Sequence, residues 1–357
     1  VQNRVIMVTT VLFCVLLLIV NTLATENVTA KTYFLNTSLP ANEYLAEICH
    51  DYKDAAVSAF SVMLDMLPKA MQPSAEKLAM EYWLSGSVKE PYRSEIIYFS
   101  NCSGLSIQSI MTVNIIYDLT AFCTSIVCVT TDGKILHARN QDFPTVLRND
   151  TVNMVYVDAD NNTLYEATTF CGYVGVPTGI KYDGFSITID ARYDIYGLQN
   201  WIDIGKTYFP AGWLVRECLM HDKDFDACVE RLSTTQIQAP IYYIIAGTDG
   251  SMNGAVVTRN QTQVNGPNNS DQVWYLNDTE NNPYKWYIVE TNYDYWVPAK
   301  DDRREHAIKM MDKMGQENVN FDNLFTVLST PPVLASGTVF TSLYRPSLEG
   351  YYNITVR

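Results

Sequence analysis

Phe122–Pro144 reads FCTSIVCVTTDGKILHARNQDFP, two apolar runs around Asp132-Gly133. An Asp-Gly pair between β-type runs is a strong hairpin signal, because both central residues of a type I′ turn take φ > 0. A two-residue turn sets Thr131 opposite Lys134, and counting back along both strands sets Cys123 opposite Asp142. Directly opposed residues share a face, with Cβ atoms roughly 4.5–5.5 Å apart. The hairpin is therefore expected to place a thiol beside a carboxylate. The same count sends Arg139 to the other face unless a bulge re-aims it. The bland alternative is a core hairpin carrying a buried free cysteine, which is common.

Around this stretch lies a chain of ordinary globular composition: 357 residues, 47% hydrophobic and 18% charged. Its net charge of −14 argues against nucleic acid as a partner and suits an acidic compartment, where carboxylates begin to protonate. Val8–Val20 is an apolar run preceded by Arg4. It is short for a membrane span and suits a signal-peptide core, so residues 1–25 are expected to be a signal peptide, with a retained anchor as the minority reading. Asn-X-Ser/Thr sequons stand at Asn27, Asn36, Asn101, Asn149, Asn161, Asn260, Asn268, Asn277 and Asn353, which with such a leader points to a glycosylated, lysosomal or secreted protein.

Cysteine usage fits that route. Cys14 falls in the apolar run and seven remain. An odd number in an oxidising compartment leaves at least one thiol unpaired, and Cys123 is the best placed to be a reactive one. Cys128 with Cys171, and Cys218 with Cys228, are the pairings the element pattern suggests. The chain has no CxxC pair and no His-rich cluster, so a zinc site is not expected.

Residues 31–120 read mainly as helices: 42–67, ended by Pro68, then 74–84, then one starting at Asn101 with Ile107, Ile110, Val113 and Ile116 as its apolar stripe. Core packing is the first account of these stripes. A minority of the residues could face a lipid or a membrane surface. After Phe122 the texture turns to strands at 152–157, 164–172, 185–190, 241–246, 254–258, 273–276 and 286–290, with helices at 200–216, 224–232, 301–314 and 321–329. Helices first, then strands with interspersed helices, predicts a layered α+β fold.

Five ordered motifs carry a resemblance. FCTSIV (122–127) and HARNQDF (137–143) are followed by TTFCGYVG (168–175), ETNYDYW (290–296) and DDRR (301–304). In this order they resemble the acid ceramidase and N-acylethanolamine acid amidase family, over nearly all of the chain beyond the leader. The resemblance implies an N-terminal-nucleophile hydrolase with an αββα sandwich. It implies a precursor that cuts itself between Phe122 and Cys123, leaving a helical α segment (26–122) and a catalytic β segment (123–357) that stay associated as one globular unit. Carried over by residue, Cys123 is the nucleophile, and its freed α-amino group is the base for its own thiol, so no histidine is needed. Asp142 holds the ammonium. Arg139 favours thiolate or anchors the carbonyl side of the substrate. Asn292 donates to the oxyanion, and Arg303 lies near the site. No cofactor is implied.

The expected substrate is a lipid amide presented at a membrane or micelle surface, with a lipid-activator protein as a further partner. FSITID (185–190), WYIV (286–289) and QENVNFDNLFTVLSTPPVL (316–334) resemble the ceramidase side. Glu290 and Phe122 resemble the ethanolamide side. The longer stretch puts ceramide first and N-acylethanolamine second. One departure stands out: Ala191 occupies the place of a family glutamate, and strand period sends the adjacent Asp190 to the other face. That departure keeps a catalytically impaired, lipid-binding relative as the alternative of another class. A papain-like protease is weaker, because its local signature around the cysteine is missing.

Overall fold

The computed structural model describes residues 28–120, 122–192, 208–280 and 282–357. The expected signal peptide, the Asn27 sequon and residues 200–207 of one expected helix lie outside them. Two sheets pack face to face between outer helical layers. The six-stranded sheet runs β1 (Val28–Thr29), β14 (Tyr352–Val356), β13 (Thr338–Tyr344), β4 (Ile135–Asp142), β3 (Phe122–Val129), β12 (Tyr287–Glu290). The eight-stranded sheet runs β11 (Trp274–Tyr275), β10 (Gly254–Arg259), β9 (Ile241–Ala246), β8 (Phe185–Ala191), β7 (Thr178–Lys181), β6 (Thr163–Phe170), β5 (Thr151–Val157), β2 (Lys31–Asn36). The pairings are antiparallel except β2 with β5.

The helices are α1 (Ala41–Tyr44), α2 (Ala46–Asp65), α3 (Gln72–Leu84), α4 (Tyr92–Ser103), α5 (Ile107–Thr120), α6 (Ala211–His221), α7 (Phe225–Thr234), α8 (Arg303–Met314) and α9 (Phe321–Leu328). The helix expected to start at Asn101 begins instead at Ile107, because residues 101–103 end an unexpected preceding helix, α4. Gly104, at φ +76°, ends α4 in the left-handed conformation that glycine adopts without steric cost. Asp224 and Asn320 cap α7 and α9 by accepting from the Ala227 and Asn323 amides. Ile126, Cys128, Leu136 and Ala138 on the outer face of the hairpin pack on Ala307, Met311, Leu324 and Val327 of α8 and α9. On the other side, Ile187, Ile189 and Ala191 of β8 belong to the core shared with the earlier helices.

The segment before Phe122 is not purely helical. β1 pairs with β14 at the edge of one sheet and β2 pairs with β5 at the edge of the other. Residues 28–36 are thus stitched by backbone hydrogen bonds into both sheets of the part beyond Phe122.

The two expected cysteine pairings do not form. The disulfide instead joins Cys49 of α2 to Cys102 of α4, and Cys123, Cys128, Cys171, Cys218 and Cys228 are buried thiols. Cys128 lies under α8 and α9 while Cys171 belongs to the core of the opposite helical layer, so both sheets separate them. Cys218 and Cys228 are neighbours but unjoined.

The hairpin exists, but its turn differs from the expectation by one residue. Val129 pairs with Ile135, and the Thr130 amide donates to the Lys134 carbonyl. The loop is therefore Thr131-Asp132-Gly133, with the Gly133 amide donating back to Thr130 and Gly133 at φ +82°. Three-residue loops of this kind place glycine at their left-handed last position. The shift pairs Phe122 with Asp142 and Cys123 with Gln141. A one-residue slip moves every side chain of one strand to the opposite face relative to its partner, so Arg139 shares the face of Cys123 and Asp142 does not.

Candidate active site

Cys123, Ser125, Val127 and Val129 alternate onto the inner face of β3, toward the eight-stranded sheet. His137 and Arg139 follow the same face on β4. Arg139 Nη2 lies 2.7 Å from Cys123 Sγ, and Nη1 donates to the Pro177 carbonyl (2.7 Å) and to Thr178 Oγ1 (2.6 Å). The guanidinium is fully buried, so its charge acts on the thiol with little screening by water. Burial pushes the Cys123 thiol well up, and the Arg139 charge opposes that.

Around the backbone of Cys123 a second group converges. The Cys123 amide donates to Asn292 Oδ1 at 3.0 Å. Arg303, at the start of α8, donates from Nη1 to the Cys123 carbonyl (2.6 Å) and from Nη2 to Asn292 Oδ1 (2.8 Å). Arg303 Nη1 also reaches Asp142 Oδ2 at 3.4 Å, and Thr338 Oγ1 donates to Asp142 Oδ1 at 2.6 Å. Burial raises the Asp142 pKa, opposed by the Thr338 bond and the Arg303 charge. Asn292 Nδ2 donates to the Ala191 carbonyl at 2.7 Å. Only the main chain of residue 191 is used at this contact.

All five residues singled out in the sequence, Cys123, Arg139, Asp142, Asn292 and Arg303, meet at one end of the hairpin. Their arrangement differs from the expected one. Asp142 reaches Cys123 through Arg303 rather than by standing opposite it. Asp190, expected to face away, lies on the inner face of β8, where Ser125 Oγ donates to its Oδ1 at 2.9 Å. Thr338 and Asp301, which holds Arg303 at 3.0 Å, were not expected either. The DDRR motif held the Asp301 signal, since a carboxylate two residues before an arginine at a helix start can bind it locally.

The thiol itself is fully buried in the uncut chain. Phe122, 43% exposed, lies on the opposite face of the strand and lines a cavity of about 310 Å³ together with Met66, Phe143, Pro144, Asp142 and Arg303. A larger cavity of about 530 Å³ lies elsewhere, beside Asn153, Glu166 and Tyr351, away from these groups. Among the described residues one cluster has metal-ligand composition, Cys218, Asp222 and Cys228. Arg231 takes both carboxylate oxygens of Asp222, so that carboxylate is already neutralised.

A buried cysteine at the start of a central strand, held between an arginine and an asparagine in an αββα sandwich, defines an N-terminal-nucleophile hydrolase. No family model matches the chain. It is 34% identical over 312 residues to the rat N-acylethanolamine-hydrolyzing acid amidase, covering 86% of this chain and 82% of that one. It is 32% identical over 338 residues to human acid ceramidase, covering 87% and 82%. The solved structure of a Caenorhabditis elegans N-acylethanolamine-hydrolyzing acid amidase ortholog superposes with a TM-score of 0.57 at 31% identity, covering 64% of this chain and 95% of that one. The chain belongs to the acid ceramidase and N-acylethanolamine-hydrolyzing acid amidase family.

Proposed function

We propose that this protein hydrolyses the amide bond of N-acylated lipids after cutting itself between Phe122 and Cys123. The observation that carries the reading is the placement of Cys123. Its thiol touches a buried guanidinium, its carbonyl and amide are held by Arg303 and Asn292, and the preceding residue lines an apolar cavity. In the first reaction Cys123 Sγ attacks the Phe122 carbonyl carbon, the peptide C–N bond breaks and its nitrogen takes up a proton. That step frees the α-amine of Cys123, and water then cleaves the thioester, releasing the Phe122 carboxylate and the Cys123 thiol. In turnover that amine takes the thiol proton, the thiolate attacks the lipid amide, and the proton passes to the leaving amine. Water then releases the fatty acid from the acyl thioester.

Arg139 stabilises the thiolate, and Asp142 with Arg303 holds the new N-terminus in place. Asn292 carries an amide that would turn to the oxyanion once the Cys123 amide is an amine. Such a donor is worth about 3–4 kcal/mol in comparable sites. The 26–122 and 123–357 segments stay together after the cut, because β1 sits in one sheet and β2 in the other. The Cys49–Cys102 disulfide lies wholly within the first segment and does not link the two.

Ceramide is the first substrate in this reading, on the FSITID, WYIV and 316–334 stretches. N-acylethanolamine is the second, favoured by Phe122, which lines the cavity. The two share acyl chain and amide, and one pocket contact discriminates by only about 1–3 kcal/mol, so overlap is expected. The protein would act at a membrane or micelle surface, with a lipid-activator protein as a candidate partner. A secretory, acidic location is supported by Asn101, Asn149, Asn161, Asn268, Asn277 and Asn353, sequon residues that are all exposed. No described helix is long and apolar enough to cross a membrane. The test compares kcat/KM at acidic pH on N-lauroyl-sphingosine and N-palmitoylethanolamine in one detergent. More than tenfold preference for the ethanolamide reverses the substrate order. Hydrolysis of neither, with both bound, leaves a lipid-binding relative.

A further inference from the structure

Behind the nucleophile the two sheets meet through polar side chains. His137 Nδ1 lies 2.9 Å from Ser186 Oγ and Nε2 lies 3.2 Å from Thr188 Oγ1. Thr188 Oγ1 is 3.0 Å from Ser125 Oγ, which donates to Asp190 Oδ1 at 2.9 Å. Asp190 Oδ1 is 3.7 Å from Arg139 Nη2, the same nitrogen that touches Cys123 Sγ. All seven residues are fully buried.

Proton counting orients this chain. Ser125 gives its one hydroxyl proton to Asp190, so Thr188 must donate to Ser125. Thr188 then accepts from His137 Nε2–H, and Nδ1 accepts from Ser186. The donors run in one direction, from Ser186 through neutral His137 to the carboxyl of Asp190. Asp190 Oδ2, also buried, has no hydrogen-bond partner among the described residues. A buried carboxyl oxygen left in that state is costly and calls for a reason.

We infer that Asp190 is a positioning residue for Cys123: it holds Arg139 against the sulfur and takes a share of the guanidinium charge, and so sets the pH at which the thiol becomes a nucleophile. The inference rests on the proposed role of Cys123. The other charged or titratable groups facing this cluster are Arg303 and Asp142 from the outer side, Glu290 from β12 and Tyr344 from β13, whose ring packs on His137, with the Cys123 α-amine added once the chain is cut. Asp190→Asn keeps the size and the Ser125 contact but removes the negative charge that the carboxyl carries above about pH 7, so that more of the Arg139 charge acts on the sulfur over the alkaline range in which the thiol ionises. A like charge within about 4–6 Å typically shifts a titration by one unit or more.

The experiment follows iodoacetamide labelling of the Cys123 peptide against pH, by mass spectrometry, on chains of the same cleavage state. Asp190→Asn is expected to move the labelling profile down by about one pH unit. Ser125→Ala, which removes the proton donated to the carboxylate, should move it the same way by less, and Asp190→Glu should restore it. A profile for Asp190→Asn that overlays the wild type overturns the inference. If that variant does not fold, a Ser125→Ala profile that does not move overturns it equally. Labelling needs no lipid, so a shifted profile without lipid hydrolysis retains this inference and rejects the proposed function, and normal hydrolysis with an unshifted profile does the reverse.

Discussion

The two ends of the β3–β4 hairpin share a backbone and an inner face, yet they do different work. At the turn end, Val127, Val129 and Ile135 pack against Tyr242, Ile244 and Val256 of the facing sheet. At the open end the same alternation presents Cys123, Ser125, Arg139 and His137. One end gains free energy from burying apolar surface. The other buries charge and hydroxyls, which costs free energy unless each is paired. The dry end is what holds the wet end in register. A sheet whose inner face were polar throughout would specify its pairing weakly, and a slip of one residue would carry Arg139 away from the thiol.

Removing the sulfur should produce the largest effect. Cys123→Ala is expected to stay a single chain under acidification and to hydrolyse no lipid amide, with its melting temperature close to that of the uncut wild type. Cleavage of this variant between Phe122 and residue 123, read by N-terminal sequencing, would break the assignment of chemistry to the open end. Next in size is Asp142→Asn. The side chain keeps its shape and its Thr338 contact but loses the charge that pairs with Arg303. Turnover is expected to fall by two orders of magnitude or more with unchanged secondary structure. Near-normal kcat would mean that Arg303 holds the Cys123 backbone without help from Asp142.

Ile135 tests the other end. It is fully buried, and Ile135→Ala should lower unfolding free energy by about 2–5 kcal/mol. The cleaved, folded fraction should keep a near-normal kcat. A loss of kcat larger than the loss of folded protein would show that the two ends are coupled more tightly than rigid support requires.

How these ends were visible in the sequence differs too. The strands and the turn were legible because Asp-Gly between β-type runs has few other uses. The register was not, because Asp132-Gly133 serves a two-residue loop and a three-residue loop equally well. That single ambiguity exchanged the places of Arg139 and Asp142. The same arithmetic hid Asp190: period two separates residues 190 and 191 correctly, but nothing in the sequence says which face meets Cys123. The five candidate residues were found through ordered motifs, which encode the meeting of distant segments that periodicity cannot. β13 and β14 went unread. Every residue of β13 is buried, so it shows no alternation, and its partner β4 lies about two hundred residues away in sequence.

The smallest expected effect concerns pH and sharpens the contrast between the ends. Burial depresses the His137 pKa to about 3 and raises that of Asp190 to about 7. An unfolded histidine titrates near 6.5 and an unfolded aspartate near 3.9. His137 therefore contributes stability that is present above about pH 6.5 and lost as pH falls toward 3. Asp190 contributes stability that is present below about pH 4 and lost as pH rises through 7. Over the interval between, the folded chain lacks the His137 proton and retains the Asp190 proton, so the two slopes oppose each other. His137→Gln removes one slope and leaves the other. Between pH 7.5 and pH 5 the variant should gain about 2 kcal/mol of unfolding free energy relative to wild type, from the roughly 1.5 units over which an unfolded histidine would protonate. Urea unfolding of both proteins at the two pH values measures this difference. Ile135→Ala, at the dry end, should give the same offset from wild type at both, since it removes no titrating group. If the His137→Gln offset is also the same at both, the imidazole is not held neutral, and the one-directional run of hydrogen-bond donors from Ser186 to Asp190 cannot stand as described.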